Sequence, residues 1–323
     1  MTMKELATLA NVSVSTVSKA FSDAEDVGED TKKLIFEIAK AQGCYGKFAK
    51  KKFHKKIIAV ICPELGSSFY TGYVERLQRI IEKNGGIAVV STDNFNAQAQ
   101  EELVDYYASH LHVDGIFVIS MKSPLKRGYD IPIVSVLGDT DNTVDSVNVD
   151  IKQPMFDAVE LLRSLGHSKI AFIGEQLTSS KAELFCKAMK IPDYNSAVII
   201  SNHRFEKAGE EGVVRLIEKK IDCSAIICAY DDIAVGAIKQ LKRLGYNVPG
   251  DFSVIGIDNI NITEYTETAL TTIDTQPDEV CMIAWDLMQK KLKNKFYRSN
   301  QNITVSGRLI VRETVSRKKA DLF

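Results

Sequence analysis

The sequence lacks several features that would assign it to a special class of protein. Its 7 prolines and 19 glycines in 323 residues are too few for a collagen-like or low-complexity chain. No apolar run approaches the roughly 20 residues that a membrane-spanning helix needs. The start, Met-Thr-Met-Lys-Glu-Leu, has no apolar core of a signal peptide. The six cysteines are scattered without paired short spacings, so we expect reduced, mostly buried thiols in a cytoplasmic protein.

The chain does have a globular composition with an uneven distribution of charge. Hydrophobic residues make up 45% and charged residues 26%, and the length favours two or three compact units. The net charge is −1, but residues 1–56 carry 11 lysines against 7 acidic residues, whereas the remainder has 30 basic and 35 acidic residues. Such asymmetry indicates that the first segment meets a polyanion. The lysines crowded into residues 47–56 are equally compatible with a solvated basic linker.

The first 45 residues have the pattern of three short helices. Thr2 and Glu5 have the spacing of a capping box at the start of the first helix. Ser13 is placed to cap a second helix, which exposes a face of small polar residues. A third helix within residues 28–43 is expected to direct Leu34 towards the other two. Two helices joined by a tight turn, with small polar residues on the outer face of the second helix, have the geometry of a motif that enters the DNA major groove.

The segment from Met3 to Lys19, MKELATLANVSVSTVSK, resembles the headpiece of the lactose/galactose repressor (LacI/GalR) family of transcriptional regulators. The resemblance implies that base edges are read by Val14, Ser15 and Lys19. It also implies that phosphates are held by Ser13, Thr16, Ser18 and Thr31. Lysine replaces the family's usual arginine at position 19 and lacks its bidentate fork, which predicts a softer base preference.

Residues 47–56 correspond to the hinge or linker by which this family joins headpiece to core. The resemblance places Phe53 where the family wedges a leucine into the minor groove, and phenylalanine can also intercalate there. Gly46, Lys47 and Lys50 depart from the family's proline, asparagine and alanine. Lysines at the contact between two hinge helices would repel each other unless DNA phosphates neutralise them.

From residue 57 onward, short apolar runs alternate with helical stretches. The runs have the composition of buried parallel strands and fall into two series, which begin at Ile57, Ile87, Gly115 and Ile133, then at Lys169, Ala197, Ala225 and Phe252. Two such series predict an α/β core of two lobes, each a doubly wound parallel sheet. Phrases within residues 113–120, 165–174 and 244–258 match the same family, and the resemblance implies a periplasmic-binding-protein-like core.

The expected organisation therefore has a helix-turn-helix headpiece at residues 1–46 and a hinge at residues 47–56. The N-terminal lobe is expected to comprise residues 57–149 and 276–305. The C-terminal lobe is expected to comprise residues 150–275 and 306–323. Ligands of open α/β sheets bind at the carboxyl ends of the strands, so an effector is expected between the lobes.

Two carboxylates at predicted strand ends are candidates for effector binding. Asp258 and Asp231 both follow apolar runs, and a carboxylate accepts paired hydrogen bonds from adjacent sugar hydroxyls. Both match positions at which the family contacts its ligands. The neighbouring Asp232 is expected to cap the next helix.

Three further residues complete the expected effector site. Lys181 stands where the family places a ligand-gripping arginine, although a solvent-facing lysine is an equal interpretation. Phe69 and Phe205 suit apolar floors for a sugar ring, with core packing as the equal alternative. Leu137 and Gly138 replace the family's frequent Asp-Arg pair and remove one polar contact.

The remaining motifs do not predict catalysis or metal binding. Residues 139–145 hint at a calcium loop, but Val144 occupies the position that requires glycine. His110 and His112 are two residues apart, off the spacing of one helix face, with no partner motif. We find no nucleotide fingerprint, phosphate-binding loop or nucleophilic serine motif. The sequence therefore predicts no metal, no cofactor and no enzymatic activity.

The resemblance and the charge distribution predict a sequence-specific DNA-binding transcription regulator, a repressor of carbohydrate genes. We expect a homodimer on pseudo-palindromic double-stranded operator DNA. A sugar or sugar phosphate between the lobes is expected to control it allosterically. The alternative is a sugar-binding or sugar-processing cleft protein whose headpiece is no dedicated operator reader, because paired carboxylates can also perform acid–base chemistry.

Overall fold

The computed structural model describes residues 1–22, 24, 26–48, 55–125, 128–138, 141–191, 197–294 and 299–319. The chain divides into a small unit, Met1–Lys56, and a large unit, Ile57–Phe323. No helix within the described ranges is long and apolar enough to cross a lipid bilayer.

The described part of the small unit consists of helices, and the first two of them begin at residues whose side chains cap the backbone. Its helices are α1 (Met3–Leu9), α2 (Val14–Phe21), α3 (Glu29–Ala41) and α4 (Tyr45–Phe48). The predicted capping box is present, since Thr2 N donates to Glu5 Oε2 at 2.7 Å and Glu5 N donates to Thr2 Oγ1 at 3.3 Å. Ser13 Oγ accepts from Thr16 N at 2.9 Å at the start of α2. These bonds satisfy backbone N–H groups that a helix start leaves free.

The inner face of α3 differs from the prediction at one position. Leu34 is 47% exposed, whereas Ile35 and Ala39 are fully buried and the stem of Lys32 is buried beside them. Residues three and four apart share one face of a helix, so Lys32, Ile35 and Ala39 point inward together. Leu34 belongs to a different face, and its predicted inward position is wrong.

Helix α4 is an element that the sequence pattern did not predict. Tyr45 lies against Phe36, with ring centroids 5.4 Å apart, and Phe48 lies against Phe21 at 5.9 Å. Phe21 and Phe36 contact each other at 5.1 Å. This aromatic cluster fixes the short helix by long-range packing, which a four-residue helix cannot supply for itself.

Two six-stranded sheets organise the described part of the large unit. The first sheet comprises β1 (Ile57–Cys62), β2 (Ile87–Thr92), β3 (Gly115–Ile119), β4 (Ile133–Val136), β5 (Asp145–Asp150) and β11 (Asn302–Ser306). The second comprises β6 (Ile170–Glu175), β7 (Val198–Ser201), β8 (Ala225–Cys228), β9 (Ser253–Asp258), β10 (Thr271–Asp274) and β12 (Arg308–Ile310). The strand order is β11-β5-β4-β3-β1-β2 in the first sheet and β12-β10-β9-β8-β6-β7 in the second. Neighbouring strands are parallel except β10 and β12, which are antiparallel.

Helices cover both faces of each sheet. The first sheet with its helices is called the N-lobe, and the second sheet with its helices is called the C-lobe. The helices are α5 (Ser68–Lys83), α6 (Ala97–Asp105), α7 (Lys152–Ser164), α8 (Ser179–Met189), α9 (Phe205–Glu218), α10 (Asp231–Arg243) and α11 (Pro277–Lys293). Alternate residues of β1 enter different hydrophobic clusters, with Ile58 and Val60 in one and Ala59 and Ile61 in the other. Burial on both faces is the mark of a doubly wound sheet, and it confirms the predicted fold class.

Three chain crossings between the lobes meet at one place. The chain leaves the N-lobe after Asp150, returns after Asp274 and crosses again at Gly307. Gly307 N donates to Asp150 O at 2.8 Å. A Cβ at Gly307 would lie 2.9 Å from Asp274 O and 3.4 Å from Asp150 O, so a glycine is needed where the three segments pass.

Candidate DNA interface and effector cleft

The exposed face of α2 presents the residues predicted to read DNA. Val17 and Ala20 are buried, whereas Ser15, Ser18 and Lys19 are exposed on the opposite side. Val14 is 45% exposed in the first turn of the same helix. An apolar side chain, hydroxyls and one cation on a helix face are suited to thymine methyl groups, phosphates and guanine acceptors.

The other predicted DNA contacts lie around this face. Ser13 and Thr16 share a hydroxyl–hydroxyl hydrogen bond of 2.8 Å at the start of α2. Thr31 is partly exposed in the first turn of α3. The predicted wedge, Phe53, lies outside the described residues.

Lys19 has a partner that the sequence analysis did not identify. Its Nζ forms an exposed ion pair with the Asp26 carboxylate, in the segment before α3. The hydrogen bond from Lys19 holds the pKa of Asp26 below its ordinary value. The ammonium has two further N–H donors, so Asp26 orients Lys19 without using all of its donors to DNA.

Three of the predicted effector residues meet between the lobes. Asp258 is buried at the end of β9, and Lys181 Nζ, from α8, lies 3.3 Å from its Oδ1. Lys181 also donates to Ala229 O at 2.8 Å, and its Nζ lies 6.0 Å from the ring centre of Phe69 in α5. Burial raises the pKa of Asp258, and the Lys181 charge opposes that shift. Lys181 is thus directed into the cleft rather than into solvent.

Asp231 is placed differently from the prediction. It is fully buried, and its Oδ1 accepts from Thr272 Oγ1 at 2.6 Å while Oδ2 accepts from Ile260 N at 2.9 Å. A Cβ at Gly256 would lie 2.1 Å from Asp231 Oδ1, so β9 passes directly against this carboxylate. Asp231 therefore links α10 to β10 and to the segment after β9, and its two oxygens are not directed at a ligand.

Asp232 also differs from its expected capping role. The residue in the cap position of α10 is Tyr230, which makes no side-chain cap bond, and Asp232 lies in the first turn. Burial, followed by the charges of Glu206 and Asp258, raises the pKa of Asp232 to about 6. The sequence position of Asp232 predicts a cap on the backbone of the next helix. The structure instead makes this half-buried carboxylate, which lies close to two others, a candidate for ligand contact.

An ion pair between Glu64 and Arg204 joins the lobes inside the cleft. Arg204 Nη1 donates to Glu64 Oε2 at 2.9 Å and Nη2 donates to Oε1 at 2.7 Å. Glu64 follows β1, and Arg204 follows β7, so both leave the carboxyl ends of parallel strands. The sequence pattern did not single out either residue as a functional one. Their positions directly after predicted strands are the signal by which both could have been found.

Aromatic rings surround the Arg204 guanidinium. Its central carbon lies 4.6 Å from the ring centre of Phe205 and 5.3 Å from that of Phe95. Phe205 N donates to the Tyr230 hydroxyl at 3.0 Å. Burial raises the pKa of Tyr230 to about 12. Phe205, predicted as a floor for a sugar ring, thus contacts a cation that belongs to the protein.

A cavity of about 450 Å³ opens beside the cleft, between the first turns of α5 and the segment after β9. Phe69 and Asp258 line it, together with Arg76, Asn259 and Tyr265 among others. Phe205, Lys181 and Asp231 do not belong to its lining. The predicted effector residues therefore divide between this cavity, the cleft interior and the protein core.

The thiols and the metal-binding side chains add no further site in the described part of the chain. All six cysteines are free, and Cys44, Cys62, Cys228 and Cys281 are buried. Among the described residues, no group of three or more His, Cys, Asp or Glu could hold a metal ion.

Known transcriptional regulators are similar to this chain over nearly its whole length. The HTH-type transcriptional repressor CytR of Escherichia coli K12 is 25% identical over 331 residues, which cover 96% of this chain and 95% of CytR. The crystal structure of the lac repressor dimer bound to operator and the anti-inducer ONPF has a TM-score of 0.72 at 20% identity, covering 98% of this chain and 99% of that one. A LacI family transcriptional regulator from Enterococcus faecium with bound ribose has a TM-score of 0.69 at 20% identity, covering 82% of this chain and 100% of that one.

Two family models match separate parts of the chain. The model for bacterial regulatory proteins of the lacI family matches residues 2–43, which contain α1 to α3. The model for a periplasmic binding protein-like domain matches residues 159–315, which contain all strands of the C-lobe. The headpiece, the core and the full-length relatives agree, and the chain is similar to the LacI family of bacterial regulatory proteins over nearly its whole length.

Proposed function

We propose that this protein represses carbohydrate genes by binding operator DNA through α2, under the control of a small effector bound between its lobes. The observation that carries the proposal is the exposed face of Val14, Ser15, Ser18 and Lys19 on the second helix of a lacI-family headpiece. In a helix-turn-helix that helix enters the major groove, where its first residues meet base edges.

We infer that the protein acts as a homodimer on a pseudo-palindromic site. A two-fold protein presents two headpieces related by the same symmetry, so its operator repeats one half-site in inverted orientation. The lac repressor, which has the same fold, is a dimer in its operator complex. The Lys19 side chains of both headpieces would then read equivalent bases.

The effector site is assigned to the cleft at the strand ends. Asp258, Lys181 and Phe69 come together there from both lobes, and a similar regulator holds ribose. A ligand that contacts both lobes favours one relative arrangement of them, and the coupling to DNA binding is then reciprocal. The cleft carboxylates are assigned to ligand recognition rather than to acid–base catalysis, so the protein is proposed to have no enzymatic activity and no cofactor.

We propose domain boundaries for the chain, and those of the two lobes follow the division of the strands into two sheets. The headpiece comprises residues 1–46 and the hinge residues 47–56. The N-lobe comprises residues 57–149 and 276–305, and the C-lobe residues 150–275 and 306–323. The grouping of strands into two sheets and the crossings at Asp150, Asp274 and Gly307 support these limits.

Replacement of Lys19 tests the proposed reading helix. A preferred duplex is first selected from a randomised pool with the full-length protein. Lys19→Ala is expected to lower the ratio of affinities for selected and random duplexes about tenfold, because a lysine donor to guanine is lost. Fluorescence anisotropy titrations measure both affinities.

Lys33→Ala is the matched control, since it removes the same charge from an exposed position of α3. The control should weaken both duplexes equally, if at all. A Lys19→Ala protein with an unchanged affinity ratio would show that α2 does not read bases through this residue.

A further inference from the structure

The cations on the C-lobe side of the cleft already have carboxylate partners. Both terminal nitrogens of Arg204 are bound to Glu64, and Lys181 is shared between Asp258 and the Ala229 carbonyl. The Glu64 and Arg204 side chains are only 18% and 34% exposed, so little water competes with their bond. A ligand between the lobes therefore meets an ion pair rather than a free guanidinium.

Further carboxylates make the cleft wall acidic. Asp232 lies within the electrostatic reach of Glu206 and Asp258. Glu175 is buried at the end of β6, close enough to act electrostatically on Arg204 and on the Tyr230 hydroxyl. The exposed Lys122 approaches from the N-lobe, with its Nζ 5.1 Å from the Phe95 ring centre. An anion that entered would face five carboxylates against three cations, two of which are already paired with Glu64 and Asp258.

We propose that Glu64 makes this cleft selective for a neutral polyol and excludes anionic sugars, by occupying the nitrogens of Arg204 that would otherwise bind a phosphate or carboxylate. The inference rests on the proposed function, in which the cleft holds the effector. Hydroxyl groups both donate and accept, so a diol can bridge the pair by donating to Glu64 and accepting from Arg204. Both charges then keep a hydrogen-bond partner.

An anionic ligand has no equivalent arrangement. It would either take the place of Glu64 on Arg204, which leaves the Glu64 carboxylate partly buried without its cation and is costly, or bind the remaining N–H groups with its charge beside the Glu64 carboxylate. Phosphate suits an arginine fork when that fork is free. The selectivity therefore depends on one side chain, and loss of the Glu64 charge should reverse it.

Titration with inorganic phosphate tests the role of Glu64 in the full-length protein. Isothermal titration calorimetry is applied to the wild type, to Glu64→Gln and to the double variant Glu64→Gln/Arg204→Gln. We expect Glu64→Gln to bind phosphate about tenfold more tightly than the wild type, the gain typical of a freed charge-assisted contact. The double variant should return to the wild-type affinity, which separates Arg204 from phosphate binding elsewhere, including the lysine-rich headpiece. Equal affinities of Glu64→Gln and the wild type overturn the proposal, as does a gain that survives in the double variant.

A second measurement uses the unaltered protein and does not depend on how the variants fold. The midpoint of thermal unfolding is recorded with ribose and with ribose 5-phosphate at equal ionic strength, because a ligand that binds the native state raises it by mass action. A larger rise with ribose supports the proposal, and a larger rise with ribose 5-phosphate overturns it. Operator affinity measured with and without ribose reports the proposed function separately: if ribose stabilises the protein but leaves operator binding unchanged, the effector role fails while the selectivity of the cleft stands.

Discussion

At the scale of single residues, the two adjacent aspartates at the start of α10 show how position decides the role of a carboxylate. Asp231 is enclosed and bonded to Thr272 and Ile260, so it holds the protein together. Asp232 is half-buried beside Glu206 and Asp258, and its pKa is raised to about 6. One residue type at consecutive positions thus supplies a structural bond and a cleft charge.

The raised pKa of Asp232 predicts a specific dependence of stability on pH. The folded protein holds the Asp232 proton more tightly than the unfolded chain, so the ionised carboxylate lowers stability once the pH exceeds the ordinary value of 3.8. The loss develops between about pH 4 and pH 6 and is complete above pH 6. Asp232→Asn should therefore be more stable than the wild type at pH 8, with a smaller difference at pH 5.

Urea unfolding of both proteins at pH 5 and pH 8 measures this difference. Asp286→Asn on the exposed side of α11 is the control and should show the same difference from the wild type at both pH values. An Asp232→Asn protein that gains no stability at pH 8 would contradict the assigned burial of the carboxylate.

At the scale of elements, α9 and α10 pack closely because glycines face each other across the contact. A Cβ at Gly236 would lie 1.9 Å from Glu206 O, and a Cβ at Gly209 would lie 2.0 Å from Ile233 O. Both obstacles are backbone atoms, which cannot rotate away as a side chain could. This contact positions the start of α9, and with it Arg204 and Phe205, against Tyr230.

Gly236→Ala is accordingly expected to force the two helices apart. The cost should be about 1–3 kcal/mol of unfolding free energy or more, the range for overpacked interiors. Chemical denaturation of the full-length protein measures it. Gly128→Ala is the control, since a Cβ there has no neighbour within 4 Å. Equal stabilities of the two variants would show that the helices have room to shift.

At the scale of the whole molecule, charge is divided between the units. Residues 1–56 carry 11 lysines and 7 acidic residues, while the rest of the chain has an acidic excess, with 30 basic and 35 acidic residues. Positive charge in one unit directs that unit to DNA phosphates. DNA affinity should therefore depend strongly on salt.

The salt dependence identifies the lysines that contact phosphate. Lys50, Lys51 and Lys52 lie outside the described residues, yet their place beside the headpiece predicts phosphate contacts. Replacing all three by Gln should reduce the slope of log affinity against log salt concentration by up to about 2.7, since each contact contributes about 0.9. Anisotropy titrations across a series of salt concentrations provide the slope.

The same replacement at the exposed core lysines Lys207, Lys219 and Lys220 is the control and should leave the slope unchanged. If the two triple variants have equal slopes, the basic segment does not contact DNA.

What the sequence by itself determined is the local structure and the fold class. The caps at Thr2 and Ser13 and the apolar runs from Ile57 to Phe252 depend on neighbours a few residues away or on burial from both sides, so the pattern alone predicted them. Strands β5 and β11 do not follow from the sequence pattern because they are partly polar, as at Asn148 and Asn302; β5 pairs with β4, and β11 pairs with β5 at the sheet edge. The exposed face of α2 was likewise predicted from helical spacing.

Only the tertiary structure decided which of the strand-end residues meet. Glu64 and Arg204 are 140 positions apart, and their pairing depends on how the two lobes approach each other. The buried position of the Asp231 side chain at the start of α10 depends on Gly256 in β9 and Thr272 in β10. Charge and hydrogen bonding act through distance in space, and distance in space between remote residues is set by packing rather than by local sequence.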